Sequence, residues 1–444
     1  MIHFSHSWCY RLAWGTSAIA LILTCFPQTI SQASRPAVPE LRGVWLTNID
    51  SDILFSRDRL KKGLQKLSKL NFNTVYPTVW NWGYTLYPSP IAEKATGLSQ
   101  RLQPDLQPDS QPDLQSDLQS DLQSNSQSDS HNTGQPRGRN LPNLVLPDPA
   151  LNPPERDMLQ ELVSLAKPQQ LKVIPWFEFG FMAPADSALV KRHPNWITQR
   201  RDGSSIVMEG SHPRVWLNPF HPEVQEFLVS LIGEVVTRYD VSGIQLDDHF
   251  GLPVDLGYDP YTTRLYQQEH QGKRPPQNPK DKEWMRWRAD KITAIMAKVF
   301  ATVKAKNKSA TVSLSPNPAE FAYDTFLQDW VTWERRGYIE ELVIQVYRTD
   351  RNRFLMELNR PEVLRARQHI PVSIGILSGL KNRGVPMPWI DQQVRWVRDR
   401  KFAGVSFFFY ETLWTSTTES SNKRHEGFQK LFPAFVSRPQ VKNL

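Results

Sequence analysis

The sequence predicts a (β/α)8 barrel, a TIM barrel, with a long disordered insertion after its second strand. Eight short runs rich in β-branched and aromatic residues are spread along the 444 residues, and such runs are typical of buried strands. Helical patterns, with apolar residues three and four positions apart, alternate with these runs. Alternating strands and helices favour a parallel sheet, and eight such units favour a closed barrel. A doubly wound open sheet is the alternative, but no glycine-rich phosphate loop follows the first run.

The predicted strands, in chain order, are Arg42 to Thr47, Phe72 to Trp80, Lys172 to Phe179, Gly243 to Asp248, Thr311 to Pro316, Leu342 to Arg348, Val372 to Leu377 and Gly404 to Glu411. The clearest helical patterns between them are Arg57 to Leu70, Pro222 to Tyr239 and Trp284 to Ala305. Active sites of this fold lie at the carboxyl ends of the strands, so we expect the functional residues there.

A repetitive segment interrupts the pattern after the second strand. Residues 104–130 repeat four-residue units such as PDLQ and SDLQ, without any aromatic or β-branched residue. Such a composition buries too little apolar surface to offset the entropy of ordering the chain. The sequence therefore predicts a disordered, low-complexity insertion over residues 97–150, within a barrel domain that covers residues 40–435.

The first 33 residues have the pattern of a signal peptide. Arg11 is followed by an apolar run from Leu12 to Phe26 and by a small-residue cleavage site at 31–33. The run is shorter than the roughly 20 residues of a membrane-spanning helix, which favours cleavage over an uncleaved anchor; a lipoprotein signal at Cys25 is a further alternative. We expect an exported protein, periplasmic, extracellular or in the cell envelope, without stable membrane insertion after cleavage. Because Cys9 and Cys25 both lie in this leader, the mature chain has no disulfide and no thiol nucleophile.

The chain is basic, with 53 Lys and Arg against 45 Asp and Glu and a net charge of +8. The basic residues are scattered, which is typical of a solvated surface, although the charge would also suit an anionic polysaccharide. No motif resembles a nucleic-acid-binding module, so we expect no nucleic-acid partner. No pattern indicates a particular oligomeric state.

Acidic and aromatic residues dominate the predicted strand ends. Asp247 and Asp248 end the fourth strand, and Glu178 ends the third. Since side chains alternate along a strand, Asp247 is expected to point into the barrel, which ranks it above Asp248. Neighbouring strands lie about 4.8 Å apart, so Glu178 should face Asp247. Cleavage of a glycosidic bond needs two such carboxylates: one protonates the leaving oxygen, and the other attacks the sugar or activates water.

These considerations predict Asp247 as nucleophile or base and Glu178 as acid, with Asp248 and Glu411 in reserve. The candidate substrate-binding residues at the strand ends are Trp80, Trp82, Trp176, His249, Tyr347 and Tyr410. Tryptophan and tyrosine suit the apolar faces of sugar rings. For any one of these aromatic residues burial in the core is an equally good interpretation, and any one acid can instead cap a helix or pair with an arginine.

Two other classes of function compete with hydrolysis. Asp247, Asp248 and His249 offer ligand types for a metal-dependent polysaccharide deacetylase, but the chain has no His-x-x-x-His pair to complete such a site. We therefore predict no metal and no cofactor. A non-catalytic glycan-binding barrel is the other alternative.

Several stretches resemble the glycosyl-hydrolase-like 10 family and, in combination, its cyanobacterial members. They are RGVWLT at 42, FNTVYPTVWNWGYTLYPS at 72, KVIPWFEFGFMAP at 172, VWLNPFHPEV at 215, GIQLDDHFGLP at 243, SLSPNP at 313 and IQVYR at 344. The resemblance implies a barrel that hydrolyses O-glycosidic bonds, with Asp247 and Asp248 as catalytic acids. It adds Asn218 to the candidate substrate-binding residues. It also implies a cell-wall polysaccharide as substrate, with the glycan strands of peptidoglycan favoured and exopolysaccharide second.

Overall fold

The computed structural model describes residues 38–98, 156–380, 382–416 and 418–441. The predicted signal peptide at 1–33, both cysteines and nearly all of the predicted insertion at 97–150 lie outside these ranges, so those predictions stay predictions.

Nine strand segments form one parallel sheet. They are β1 (Leu41–Leu46), β2 (Thr74–Pro77), β3 (Lys172–Val173 and Trp176–Phe177), β4 (Gly243–Asp247), β5 (Thr311–Ser315), β6 (Glu341–Gln345), β7 (Val372–Leu377) and β8 (Gly404–Phe408). The order runs from the first half of β3 through β2, β1, β8, β7, β6, β5 and β4 to the second half of β3. Because both ends of the order belong to the same stretch of chain, the sheet closes, which confirms the eight-stranded barrel.

The third strand changes partner at a proline. Val173 pairs with Val75 of β2, whereas Trp176 pairs with Gln245 of β4. Pro175 lies between the two halves and has no N–H to donate to a ladder. Its carbonyl oxygen still accepts from the backbone N of Gln245 at 2.8 Å. The strand is therefore interrupted, but the barrel wall is continuous.

Helices connect the strands. They are α1 (Arg57–Lys69), α2 (Pro90–Thr96), α3 (Met158–Ala166), α4 (Ala188–Arg192), α5 (Pro222–Arg238), α6 (Pro260–Glu269), α7 (Lys282–Lys306), α8 (Ala319–Phe326), α9 (Trp330–Arg335), α10 (Arg351–Leu358), α11 (Pro361–Ala366), α12 (Met387–Asp399), α13 (Tyr410–Trp414) and α14 (Ser421–Leu431). The three helices expected from periodicity are confirmed as α1, α5 and α7, each with small differences at its ends. Within the described residues no helix combines the length and the apolar character needed to cross a membrane.

The barrel interior is filled by aromatic and polar side chains. The buried Trp45 of β1 stacks on Tyr76 of β2 with ring centroids 5.5 Å apart. Its Nε1 donates to Oε1 of Gln245 on β4 at 2.7 Å, and Nε2 of Gln245 donates to Oγ of Ser313 on β5 at 3.0 Å. Every polar side-chain atom in this chain of contacts has a hydrogen-bond partner. Trp45, Tyr76, Gln245 and Ser313 therefore form a well-packed layer beneath the carboxyl ends of the strands.

The C-terminal segment closes the opposite, amino-terminal end of the barrel. Arg438 forms an ion pair with the buried Glu341 at the start of β6, and Tyr76 donates to the same carboxylate at 3.1 Å. The backbone N of Glu40, just before β1, donates to the carbonyl of Ser437 at 2.9 Å. The last described residues are thus an integral part of the barrel.

A small antiparallel sheet is inserted between β3 and β4. Its three strands are Met182–Pro184, His212–Trp216 and Val207–Glu209, in that order. The backbone N of Phe181, just before the first of them, donates to the carbonyl of His249 at 3.1 Å. This contact places the sheet beside the end of β4; residues 207–216 are called the 207–216 hairpin below.

Candidate active site

Two adjacent aspartates stand at the end of β4, each held by an amide from another strand end. Asp247 and Asp248 are 3% and 4% exposed. Gln345 of β6 donates from Nε2 to Oδ1 of Asp247 at 2.7 Å, and Asn317, just after β5, donates from Nδ2 to Oδ2 of Asp248 at 2.7 Å. Neither amide was predicted, because the prediction rested on acidic and aromatic residues at the strand ends. Gln345 and Asn317 are neutral polar residues at the ends of the sixth and fifth strands, and that position is the signal by which they could be predicted.

Glu178 lies one residue beyond β3, close to the same aspartates. Trp176 and Phe177 pair with Gln245 and Leu246, so Glu178 and Asp247 follow at the next level of the barrel. The carboxylate is partly buried, and its Oε2 accepts from Nδ2 of Asn81 at 2.7 Å and from Oγ1 of Thr78 at 3.2 Å. The structure therefore brings Glu178 and the aspartate pair to one edge of the barrel.

Burial gives these carboxyl groups unusual pKa values. Burial, with smaller contributions from the charges of Glu209 and Asp248, raises the pKa of Glu178 to about 8 against the opposing charge of His249. Burial and then the charge of Asp248 raise the pKa of Asp247 well above its usual range. At neutral pH Glu178 is therefore mostly protonated. Of the two adjacent aspartates, Asp247 is the one whose burial and neighbouring charge favour the protonated form.

His249 is an internal cation of the site. Its Nδ1 lies 3.2 Å from the backbone oxygen of Glu178, which can only accept, so Nδ1 carries a hydrogen. Its Nε2 lies 3.3 Å from Oε1 of Glu209. Burial lowers the pKa of His249, but the charges of Asp248 and Glu209 outweigh it and hold that pKa well above its usual value. Both nitrogens are therefore protonated, and the ring is committed to protein partners.

The same contacts test the metal-site hypothesis. One ligand atom from each of Asp247, Asp248 and His249 lies within 4.8 Å of the others. Both nitrogens of His249, however, face acceptors, and Oδ1 of Asp247 already receives N–H groups from Gln345 at 2.7 Å and from the backbone of Asp248 at 2.8 Å. Because both nitrogens of His249 face acceptors and carry hydrogens, the imidazole offers no lone pair to a cation. These three residues do not fit a metal ion in this arrangement.

Two of the predicted aromatic residues border the carboxylates. Trp82 is partly exposed in the loop after β2, and the guanidinium of Arg214 lies 4.5 Å from its ring centroid. Tyr347 follows β6 and is partly exposed, with its ring 5.7 Å from that of Phe408. Burial, and then the charges of the three carboxyl groups, raise the pKa of Tyr347 well above its usual value. Among the predicted aromatic residues of the strands that lead to these carboxyl groups, Trp82 and Tyr347 keep part of their surface exposed.

Trp80 and Trp176 correct the prediction of open aromatic platforms. Trp80 is fully buried; its Nε1 donates to the carbonyl of Gly180 at 3.0 Å, and its ring packs edge-on against Phe227 of α5. Trp176 is 3% exposed, with its ring 6.3 Å from that of Trp45. Trp80 is a core residue because it is fully buried where the loop after β2 packs against α5, and Trp176 packs against Trp45 inside the barrel.

Asn218 is likewise a structural residue rather than a substrate ligand. It is 1% exposed, and its Nδ2 donates to Oδ1 of Asp259 and to Oγ1 of Thr262, both at 2.9 Å. Its Oδ1 accepts from the backbone N of Phe220. Both N–H donors of its side chain therefore join this loop to the start of α6.

Glu411 and Tyr410 form a separate group on α13, after β8. Oε1 of Glu411 accepts from Oγ of Ser51 in the loop after β1 at 2.8 Å, and burial raises the pKa of Glu411 to about 7. The hydroxyl of Tyr410 lies over Gly63 of α1, where a Cβ atom would come within 2.9 Å of it. Glu411 therefore bonds to the loop after β1 and Tyr410 packs against α1, whereas both were predicted to belong to the strand-end site.

A parallel barrel with buried carboxyl groups and accessible aromatic rings at the carboxyl ends of its strands defines the class of glycoside-hydrolase-type barrels. The sequence profile of the glycosyl hydrolase-like 10 family matches residues 40–112 and 145–398. The chain therefore belongs to the glycosyl hydrolase-like 10 family, as its motifs predict.

Individual proteins show the same relationship. Glycosyl hydrolase DigH of Escherichia coli (strain K12) is 26% identical over 220 residues, which are 44% of this chain and 47% of that protein. Glycosyl hydrolase YngK of Bacillus subtilis (strain 168) is 24% identical over 173 residues, 35% of this chain and 30% of that protein. The matched part thus spans less than half the length of these curated relatives.

Solved structures resemble the fold. The glycoside hydrolase domain of PgaB (BpsB) from Bordetella bronchiseptica has a TM-score of 0.57 at 10% identity and covers 88% of this chain and 99% of its own. The catalytic domain of a beta-amylase from Paenibacillus polymyxa has a TM-score of 0.54 at 9% identity, with 89% and 98% covered. At these identities the likeness concerns the barrel alone.

Proposed function

We propose that this protein is a glycoside hydrolase that cleaves O-glycosidic bonds in a cell-envelope polysaccharide. The observation that carries the proposal is the position of Glu178 on β3, level with the aspartate pair of the neighbouring β4. Glycoside hydrolysis requires one carboxyl group that gives a proton and a second that is ionised. Glu178, with its raised pKa, suits the first role, and Asp248, which lies beside His249, is the candidate for the second.

Glu178 is the proposed proton donor. Its pKa of about 8 keeps the proton in place at neutral pH. The hydrogen bonds from Asn81 and Thr78 both go to Oε2, which leaves Oε1 for the leaving oxygen of the substrate. A general acid of this kind accelerates bond cleavage by about 10²- to 10⁴-fold.

Asp248 is the proposed nucleophile or base, and Asp247 its support. The imidazolium of His249 lies 3.4 Å from Oδ1 of Asp248, and a nearby cation favours the charged form of a carboxylate. Burial raises the pKa of Asp247 and so favours its protonated form, and its Oδ1 accepts a hydrogen bond from the backbone N of Asp248 at 2.8 Å. This assignment reverses the order that strand alternation alone favours.

The substrate is proposed to be an extended glycan, with peptidoglycan glycan strands first and exopolysaccharide second. Trp82 and Tyr347 offer apolar ring faces next to the carboxyl groups, and the net charge of +8 favours an acidic polymer. We also propose that the protein is exported to the periplasm or beyond; this rests on the apolar run from Leu12 to Phe26.

A product analysis tests the proposal. The mature protein is incubated separately with amidase-treated peptidoglycan, intact peptidoglycan and purified exopolysaccharide, and the products are identified by mass spectrometry. We expect new reducing ends from amidase-treated peptidoglycan. Products from exopolysaccharide alone would contradict the assignment of peptidoglycan as substrate. Release of acetate that chelators abolish would indicate a metal-dependent deacetylase and contradict the proposed hydrolysis.

A further inference from the structure

A line of charged contacts runs from the 207–216 hairpin into the candidate active site. Nε of Arg214 lies 3.0 Å from Oε2 of Glu209, and Oε1 of Glu209 lies 3.3 Å from Nε2 of His249. Nδ1 of His249 in turn lies 3.4 Å from Oδ1 of Asp248. We call Arg214, Glu209 and His249 the His249 network. Its side chains are 1%, 17% and 14% exposed, so its charges are weakly screened.

Glu209 is fixed by two cations at once. One carboxylate oxygen faces Arg214 and the other faces His249, so a rotation of the side chain would break both contacts. Burial opposes its charge, but His249 and Arg214 keep the pKa of Glu209 below its usual value. A permanent negative charge therefore stands beside Nε2 of His249.

Arg214 anchors this carboxylate and connects it to the candidate sugar platform. Its guanidinium lies 4.5 Å from the ring centroid of Trp82 and 5.2 Å from that of Phe179. Cation–π contacts on a desolvated guanidinium hold it firmly in place. The end of the 207–216 hairpin is thereby locked to the loops after β2 and β3.

We propose that Glu209 is a positioning residue for catalysis, which holds His249 as a doubly protonated cation between Asp248 and the backbone of Glu178. The imidazolium stabilises the charge of Asp248, the group that must be ionised. The charged or titratable groups that face His249 are Glu209 from the hairpin, Asp247 and Asp248 from β4, and Glu178 from β3. The catalytic consequence rests on the hydrolase function proposed above; the protonation of His249 does not.

An NMR titration of the imidazole groups in the full-length protein tests the network directly. In the wild type we expect His249, assigned by comparison with His249→Gln, to stay protonated through neutral pH. In Glu209→Gln the titration midpoint of His249 should fall by at least about one pH unit, because His249 loses one of its two closest negative charges. The control is Glu283→Gln, which removes a carboxylate 3.1 Å from His270 on the outside of the barrel and should leave His249 unchanged. An unchanged midpoint in Glu209→Gln overturns the proposal.

The pH dependence of turnover provides the second readout. Glu209→Gln should lower kcat about 10- to 100-fold at pH 7 to 8, with KM within about two-fold of wild type. The loss should shrink toward pH 6, where His249 regains its proton, and Glu209→Asp should restore part of the turnover. A loss of the same size at every pH would indicate a structural role and overturn the proposal. If the wild type hydrolyses none of the glycans, the proposed function fails, while the NMR midpoint still decides the network.

Discussion

Asn81 donates a hydrogen bond of 2.7 Å from its side-chain amide to Oε2 of Glu178. The carbonyl oxygen of the same amide accepts from the backbone N of Trp82 at 2.7 Å. One side chain thus fixes both the proposed proton donor and the backbone that presents the aromatic surface. The loop after β2 therefore connects the proposed proton donor to the proposed aromatic surface.

Replacement of Glu178 by glutamine removes the proposed proton donor. We expect kcat on glycan substrates to fall about 10²- to 10⁴-fold, because the leaving oxygen departs unprotonated. An aryl glycoside whose leaving group needs no proton should lose much less. The matched control is Glu93→Gln, at an exposed site on α2. Equal losses on both types of substrate would remove Glu178 from the role of acid.

The pH dependence of kcat/KM should report the ionisation of Glu178. Glu178 acts in its protonated form, so kcat/KM should hold at neutral pH and fall as the pH rises through the pKa of about 8. In Glu178→Gln this alkaline limb should disappear from the residual activity. A limb that persists in the variant belongs to another residue.

The two aspartates should respond unequally to amide substitution. Asp248→Asn removes the ionised carboxylate, and we expect kcat to fall by about 10³-fold or more. Asp247→Asn replaces a carboxyl group whose raised pKa favours the neutral form, and it should lower kcat only about ten-fold. Circular dichroism checks that both variants fold. If Asp247→Asn proves the more damaging change, the two roles must be exchanged.

Replacement of Trp82 and of Trp80 by alanine should affect different properties: substrate binding for Trp82 and stability for Trp80. Trp82→Ala should raise KM about 2- to 10-fold, since an aromatic contact contributes roughly 0.5–1.5 kcal/mol. It should lower the free energy of unfolding by only about 1 kcal/mol, because it also removes the cation–π contact with Arg214. Trp80→Ala should lower the free energy of unfolding by about 3–5 kcal/mol, because it opens a cavity in the core. Binding measurements and denaturant titrations separate the two effects; a stability loss in Trp82→Ala as large as that in Trp80→Ala would show that this ring too is a core residue.

The ion pair at the amino-terminal end of the barrel should be important for stability. Arg438→Met leaves Glu341 buried without its cation, and the free energy of unfolding should fall by about 3–5 kcal/mol. Adding Glu341→Gln should recover part of that loss, because the uncompensated charge is then gone. Arg395→Met, which breaks an exposed pair with Asp391, should leave stability nearly unchanged. An equally stable Arg438→Met variant would contradict the account of this end of the barrel.

The fold was predictable because its signals are local. The apolar spacing of α5 and its opening Pro222 and Glu223 are properties of adjacent residues. Eight β-rich runs then leave few topologies to consider. The interruption of β3 at Pro175 shortened the strand segments without changing the barrel, so it did not affect this prediction.

The candidate site was predictable only in part. Asp247, Asp248 and Glu178 could be found because they end predicted strands. Glu209 could not, because the hairpin that carries it reaches His249 only through the tertiary fold. Trp80 and Trp82 differ in burial, and their residue type alone does not predict this difference. Trp82 sits in the turn between the short strands Trp80–Asn81 and Tyr84–Thr85 with a left-handed φ of 54°, and this turn keeps it out of the core.

The most direct test of paired-carboxylate hydrolysis compares the wild type with Glu178→Gln and Asp248→Asn on amidase-treated peptidoglycan. New reducing ends are quantified over time, and each fragment is identified by mass spectrometry. The account predicts that the folded wild-type protein releases oligosaccharides with one new reducing end per cleavage, and that both folded variants release them at least about 10²-fold more slowly. Equal rates in all three proteins would contradict it.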